Sequence, residues 1–388
     1  MKTPSHPPNP VCRTAARSQA SGQPSFDGCQ WHPTGRIKFG GVLTLFAILL
    51  LLTTSVTFAQ KQPVDKVVLQ RKRSGSRITH SGIVVDFTGT KLTIRSRDNT
   101  SVSTYDADEV VEVRTPQTEQ HRKGLNSFAQ GDMERAVASF ELAMIEETRD
   151  WVRRDILAML VRCALRRGDL IAAGSKFLAL WQSDQTTRQF KLAPLTWGTH
   201  NITAALRSES LGWINLNTEA SRLLGASHLL ADVRHTALAK NEMNELASSI
   251  NLRIRLLARA QLWRLRVREG NLTPSEMKRW QSKIEDMPEN IRGGPFYVLG
   301  RGHLVRKEYD RAAAALLWVP LVYDDDTHLA ARACLEAADA LREVGQSGQS
   351  RALYREVTTR FVGTPFADEA ASLLKSEEST PAKTSRDE

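Results

Sequence analysis

The sequence predicts a mainly α protein: an α-solenoid of helix–turn–helix repeats preceded by a small antiparallel β-barrel. Three observations carry this. From residue 117 onward apolar residues recur at helical spacing, with small residues where two helices would cross. The helix-stopping pair Gly131-Asp132 returns 37 residues later as Gly168-Asp169. Between 64 and 115, by contrast, short Val-rich runs alternate apolar and polar between turn signals.

The elements follow in order, starting from a leader over residues 1–59. Residues 1–39 are rich in Pro, Ser, Gly and Arg, without periodicity, and are expected to be disordered. Gly40-Gly41 opens an apolar run, Val42 to Leu52. Basic Arg36 and Lys38 precede it and small residues follow, the pattern of a secretory signal peptide with a long basic region. Thr57 and Ala59 occupy the −3 and −1 positions, so cleavage is expected after Ala59, leaving Gln60 first. An uncleaved anchor competes, because Val42 to Phe58 approaches the ~17 residues that a span needs. No cysteine directly follows the run, which disfavours a lipid anchor.

Five strands are expected at Lys66–Gln70, Arg77–Asp86, Lys91–Arg95, Ser101–Tyr105 and Glu109–Arg114. Ser74-Gly75, Thr88-Gly89 and Asp98-Asn99 supply the turns between them. Five short strands in about fifty residues suit a barrel over 64–115, which removes its edges by closing. The pattern resembles SH3-like or Sm-like barrels. Arg71-Lys72-Arg73 reads as a solvated hairpin loop. Thr115-Pro116-Gln117 then breaks the last strand, so 60–115 and 117–378 are expected to be separable folds.

The first helical unit spans 117–150. Gly124, Ala136 and Ala143 are small enough for close backbone approach, and Phe128 and Phe140 fill the space between. A second unit at 154–182 repeats it, with Ala173 and Phe177 in place of Ala136 and Phe140. Weaker copies follow at 293–325, with Leu299-Gly300, Glu308-Tyr309 and Ala312, and at 328–362, with Gly345, Ser350 and Tyr354. These units resemble tetratricopeptide (TPR) repeats, helical hairpins that bury their apolar faces only by stacking on one another. The phrase Arg360 to Ala370 resembles the linkers of bacterial envelope TPR proteins. The resemblance implies a non-catalytic interaction or scaffold protein of the cell envelope, periplasmic or secreted.

The middle, 183–292, lacks the TPR pattern. Arg222 to Leu229 echoes at Arg255 to Leu262, 33 residues on, and Thr273-Pro274-Ser275-Glu276 is a capping box. It reads as divergent helical pairs continuing the solenoid, with a separate inserted bundle as the competitor. In the arginine-rich helix 251–268, Leu252, Leu256, Trp263 and Val267 form one apolar stripe, leaving a solvated cationic face; lying on a membrane is the competing reading. The charged, Ser-rich tail beginning at Lys375 is expected to be disordered, 379–388 throughout.

Composition narrows the function. Hydrophobic residues make up 41% and charged ones 25%, which fits a globular protein. The leader holds five bases and one acid, so only +6 of the net +10 is spread along the rest. That excess is too mild to indicate nucleic acid, and none is expected as a partner. Cys163 and Cys334 read as buried small apolar residues, not a disulfide or metal site. The histidines of the helical region (121, 200, 228, 235, 303 and 328) lie singly, with no i, i+4 pair. Asp324-Asp325-Asp326 lacks the ligand spacing of a calcium loop and reads as a helix N-terminus. No catalytic, cofactor or metal site is expected, and no enzyme. The alternatives are a membrane-anchored regulator with an extracytoplasmic solenoid and an enzyme hidden in the divergent middle.

In TPR arrays the first helix of each unit lines the concave face, where i, i+4 and i+7 share a side. That register places His121, Leu125 and Phe128 there, then Ala158, Arg162 and Leu165. Tyr297, Arg301 and Leu304 follow, then Leu335, Asp339 and Arg342. The expected partner is a protein, bound as an extended segment whose acidic groups meet Arg162, Arg301 and Arg342 beside apolar anchors. Membrane contact is expected only through an uncleaved leader.

Overall fold

The computed structural model describes residues 64–72, 75–198 and 202–379. The leader, its apolar run and the cleavage position lie outside the described residues, as does 380–388. Five strands come first: β1 (Asp65–Gln70), β2 (Arg77–Phe87), β3 (Lys91–Arg95), β4 (Val102–Asp106) and β5 (Val110–Arg114). Their bounds agree with the alternation in the sequence to within a residue. All neighbours are antiparallel, in the order β4-β3-β2-β1-β5.

The sheet does not close into a barrel, which corrects the expectation. Strands β4 and β5 are both edges, joined by a 3-10 turn at Ala107–Glu109 but not paired with each other. The 11-residue β2 pairs with β1 through Arg77–Gly82 and with β3 from Ile83 onward. Gly82 stands at that hand-over, where a Cβ would lie 2.3 Å from the Arg95 carbonyl. Helices cover the sheet instead of more sheet. Val67, Leu69, Val84, Leu92 and Ile94 form one apolar cluster with Ala136, Phe140, Trp151 and Ile156 of the first helices. Trp151 Nε1 donates to the Val84 carbonyl at 3.2 Å, and Arg154 bonds Asp86 and the Phe87 carbonyl. The break at Thr115-Pro116 therefore divides the chain but not the core.

Fourteen α-helices follow among the described residues. The first pairs are α1 (Glu119–Ala129) with α2 (Met133–Glu146) and α3 (Asp150–Arg166) with α4 (Leu170–Ser183). The middle holds α5 (Ala204–Asn215), α6 (Glu219–Leu229), α7 (Thr236–Leu246), α8 (Leu252–Glu269) and α9 (Pro274–Glu285). The last are α10 (Gly293–Val305), α11 (Tyr309–Val322), α12 (Thr327–Glu343), α13 (Ser347–Arg360) and α14 (Pro365–Ser379). Helix α14 carries the chain to Ser379, so residues 375–379 are helical rather than disordered.

One turn is used four times. In the loops α1–α2, α3–α4, α10–α11 and α12–α13, a residue at positive φ ends the first helix: Gly131, Gly168, Lys307 and Gly345. In each loop the next amide reaches back five residues, from Asp132 to Ser127, Asp169 to Ala164, Glu308 to His303 and Gln346 to Leu341. This is the Schellman closure, which satisfies carbonyls that the helix end leaves open. Asp132 and Asp169 then cap the following helix through the amides of Arg135 and Ala172. The crossings are as tight as the small residues imply: a Cβ on Gly124 would sit 2.7 Å from the Phe140 ring.

The middle helices pack in succession from α4 to α8, and α10 then takes both α8 and α9 against it. Thr218 and Thr273 both complete capping boxes, and Asn251 caps α8. The stripe expected on α8 is wrong in detail. Leu252 is exposed, while Ile254, Leu257, Ala258, Gln261 and Leu265 are buried with Trp263. Nor is its cationic face merely solvated: Arg253, Arg255, Arg259 and Arg268 donate to the carbonyls of Thr187, Ser249, Ala247 and Leu230.

The array does not run on in one direction. Helix α12 returns to lie against α3, about 160 residues earlier in the chain. The acidic run holds this closure together. Asp325 takes Arg162 and Lys191, each at 2.8 Å, Asp326 caps α12 at the Leu329 amide, and Asp324 takes Arg360.

Candidate functional site

A cleft of about 840 Å³ opens between β5, the inner sides of α1 and α3, and the 3-10 turn at Arg188–Leu192. Every residue from Val111 to Thr115 lines it. A strand facing a cavity broadside would offer alternate residues; five in succession mean that β5 presents its edge. Among the described residues that edge has no partner strand. Val111 is also unmatched on the other side, since the β1–β5 register steps from Val110 to Glu112, so it forms a bulge.

The opposite wall carries His121, Leu125, Phe128, Ala158 and Arg162, five of the residues placed on the concave face by helical register. His121 is 4% exposed, and among the described residues neither its Nδ1 nor Gln189 Oε1 has a hydrogen-bond partner. Burial lowers the His121 pKa below the ordinary histidine value, keeping the ring neutral. Such buried atoms cost free energy unless something pairs with them. Asp155 projects from α3 beside Arg188 and Arg154. Asp155 is exposed as a residue, yet the walls around its carboxyl withdraw enough water to push it up to about 6. Phe87 supplies an aromatic floor, with the Arg188 guanidinium 4.4 Å over its ring.

The remaining concave-face residues lie elsewhere. Tyr297 is fully buried, and its hydroxyl donates to Glu336 at 2.9 Å, on the carboxylate that also takes Arg301 at 3.2 Å and Arg332. Arg342 pairs with Asp339 at 3.1 Å, and Arg162 with Asp325. Each arginine expected to await an acidic partner thus already faces a carboxylate of its own chain. Sequence reasoning missed Asp155, Gln189 and the β5 edge. The valine pattern marks β5 as a strand, but only the open sheet makes it an edge.

Burial pushes the Cys163 thiol up to about 11 and that of Cys334 to about 12, so neither is a nucleophile at neutral pH. Among the described residues no group of three His, Cys, Asp or Glu could hold a metal ion, and no helix is long and apolar enough to cross a membrane. In comparisons with known proteins, no family model, no curated protein and no solved structure matches the chain.

Proposed function

We propose that this chain is a TPR-like interaction protein that binds an extended segment of a partner protein in the cleft beside β5. The observation that carries the reading is the free strand edge facing the concave side of the first two helical hairpins. An extended segment adds to such an edge by backbone hydrogen bonds and sets its side chains into pockets opposite. Leu125, Phe128 and Met159 offer apolar anchors. The partner is not required to be acidic, because Arg114 and Arg162 are neutralised by Glu112 and Asp325.

The repeated Schellman turns at 37- and 38-residue spacing support the TPR-like reading of the helical pairs. The strand order, with a 3-10 turn before β5, supports an SH3-like ancestry for the sheet. An extracytoplasmic location rests on the apolar run and Thr57-Phe58-Ala59, and N-terminal sequencing of exported protein should begin at Gln60.

The decisive experiment is hydrogen exchange on the full chain before and after adding a partner captured from envelope extract. The amides of 110–114 should gain protection, and Val111→Pro, at the bulge where β1 asks nothing of the residue, should abolish capture. Capture that survives Val111→Pro with no new protection in β5 would remove the strand edge as the site.

A further inference from the structure

A second cavity, of about 300 Å³, shares no lining residue with the cleft beside β5. It lies between the end of α6, one side of α8, the inner side of α10 and the Trp197-Gly198 segment. Its walls are apolar: Trp197, Leu230, Val267, Val298 and Val305 are among them. Three arginines, Arg264, Arg268 and Arg301, line the same space. No carboxylate is among its lining residues.

The pairing of these three is unequal. Arg264 donates to the carbonyls of Ser227 and Gly198 and to Gln261 Oε1, all neutral acceptors. Arg268 donates to the Leu230 carbonyl, at 3.2 Å. Arg301 reaches Glu336, which it shares with Arg332. Among the described residues, neither Arg264 nor Arg268 forms an ion pair. Burial pushes the pKa of Arg264 down to about 9, with Arg268 and Arg332 adding to the effect, and it remains a cation at neutral pH.

Solvated arginines at a surface need no explanation. Arg264, withdrawn from water against an apolar wall with only neutral acceptors around it, does. Carbonyl acceptors fix where the Arg264 group points and cancel none of its charge. An oxyanion placed among the three would supply that charge, and a guanidinium offers it paired N–H donors in one plane. The apolar walls then select what the oxyanion is attached to. Cavities of this size and lining, with a few convergent polar groups, are the usual form of small-ligand sites.

We infer that this pocket binds a small amphiphilic acid, its carboxylate held by Arg264, Arg268 and Arg301 and its hydrocarbon body against Trp197, Val298 and Val305. The site is independent of the strand-edge reading and stands or falls separately from it.

Octanoate is a suitable probe, titrated calorimetrically against the full chain at neutral pH. Saturable binding with one site is expected, with octanol, octylammonium and acetate giving none, since each lacks either the charge or the body. Arg268→Gln, at an exposed position that leaves the fold intact, should weaken octanoate by about tenfold or more, the usual consequence of losing one charge-assisted hydrogen bond. Val305→Trp should block the apolar end without touching the charges and should also weaken it. The inference fails if octanoate shows no saturable binding at millimolar concentration. It also fails if octylammonium binds equally well, or if neither variant changes the affinity.

Discussion

At the scale of single residues, the informative side chains are those whose ordinary chemistry the fold has shifted. Asp155 is the clearest. Its carboxyl titrates at about 6 in the folded protein instead of the ordinary 3.8, because burial outweighs the attraction of Arg188 and Arg154. Between those two values the folded chain holds more proton than the unfolded one, so the contribution of Asp155 to stability falls as pH rises through this window and stays unfavourable above it. Asp155→Asn removes the charge at nearly constant shape. Thermal melts should show variant and wild type alike near pH 4, with the variant gaining an advantage as pH climbs to 7. A difference that is constant with pH would mean that Asp155 is not desolvated. His121 moves the other way, since burial disfavours its charged form, but it is common to both proteins and drops out of the comparison.

At the scale of elements, the helical hairpin is a unit whose turn decides its geometry. Three of the four Schellman turns end on glycine at positive φ, and the third ends on Lys307 at φ 59°. A side chain in the left-handed region crowds the following carbonyl, at a cost of roughly 1–2 kcal/mol. Lys307 is exposed and forms no ion pair among the described residues. Lys307→Gly should therefore relieve strain at the turn, partly offset by the greater freedom of glycine in the unfolded chain, and raise stability by up to about 1 kcal/mol. Chemical denaturation of the two proteins measures this directly, and a lower midpoint for the glycine variant would show that the lysine stem makes a packing contribution larger than the strain.

At the scale of the whole molecule, two closures replace the modular chain that the sequence suggests. The sheet shares its apolar cluster with α2 and α3, and α12 returns to α3 through Arg162, Lys191 and Asp325. A fragment of residues 117–378 would expose Trp151, Ile156 and the face of α3 that the sheet covers, and would leave Arg154 without Asp86. It should retain helical circular dichroism and melt well below the 60–388 chain, in a less cooperative transition. Equal melting temperatures would mean that the sheet contributes nothing to the helical core.

The sequence by itself determined the local events. Strand limits follow from period-two alternation and turn residues. Gly131-Asp132, Gly168-Asp169 and Gly345 mark where helices stop, because a positive φ and a capping carboxylate are demands of neighbouring residues only. Gly124, Ala136 and Phe140 announce a tight crossing for the same reason. The tertiary structure decided everything that depends on which distant surface arrives. Helical register could bring His121, Leu125, Phe128 and Arg162 to one face, but the wall opposite them is a strand whose edge is open because helices, not further strands, cover the sheet. Arg162 looked free in the sequence because Asp325 lies 163 residues away. The buried side of α8 was misjudged because its arginines bond loop carbonyls, and a side chain can satisfy a carbonyl at any sequence distance that the fold makes short.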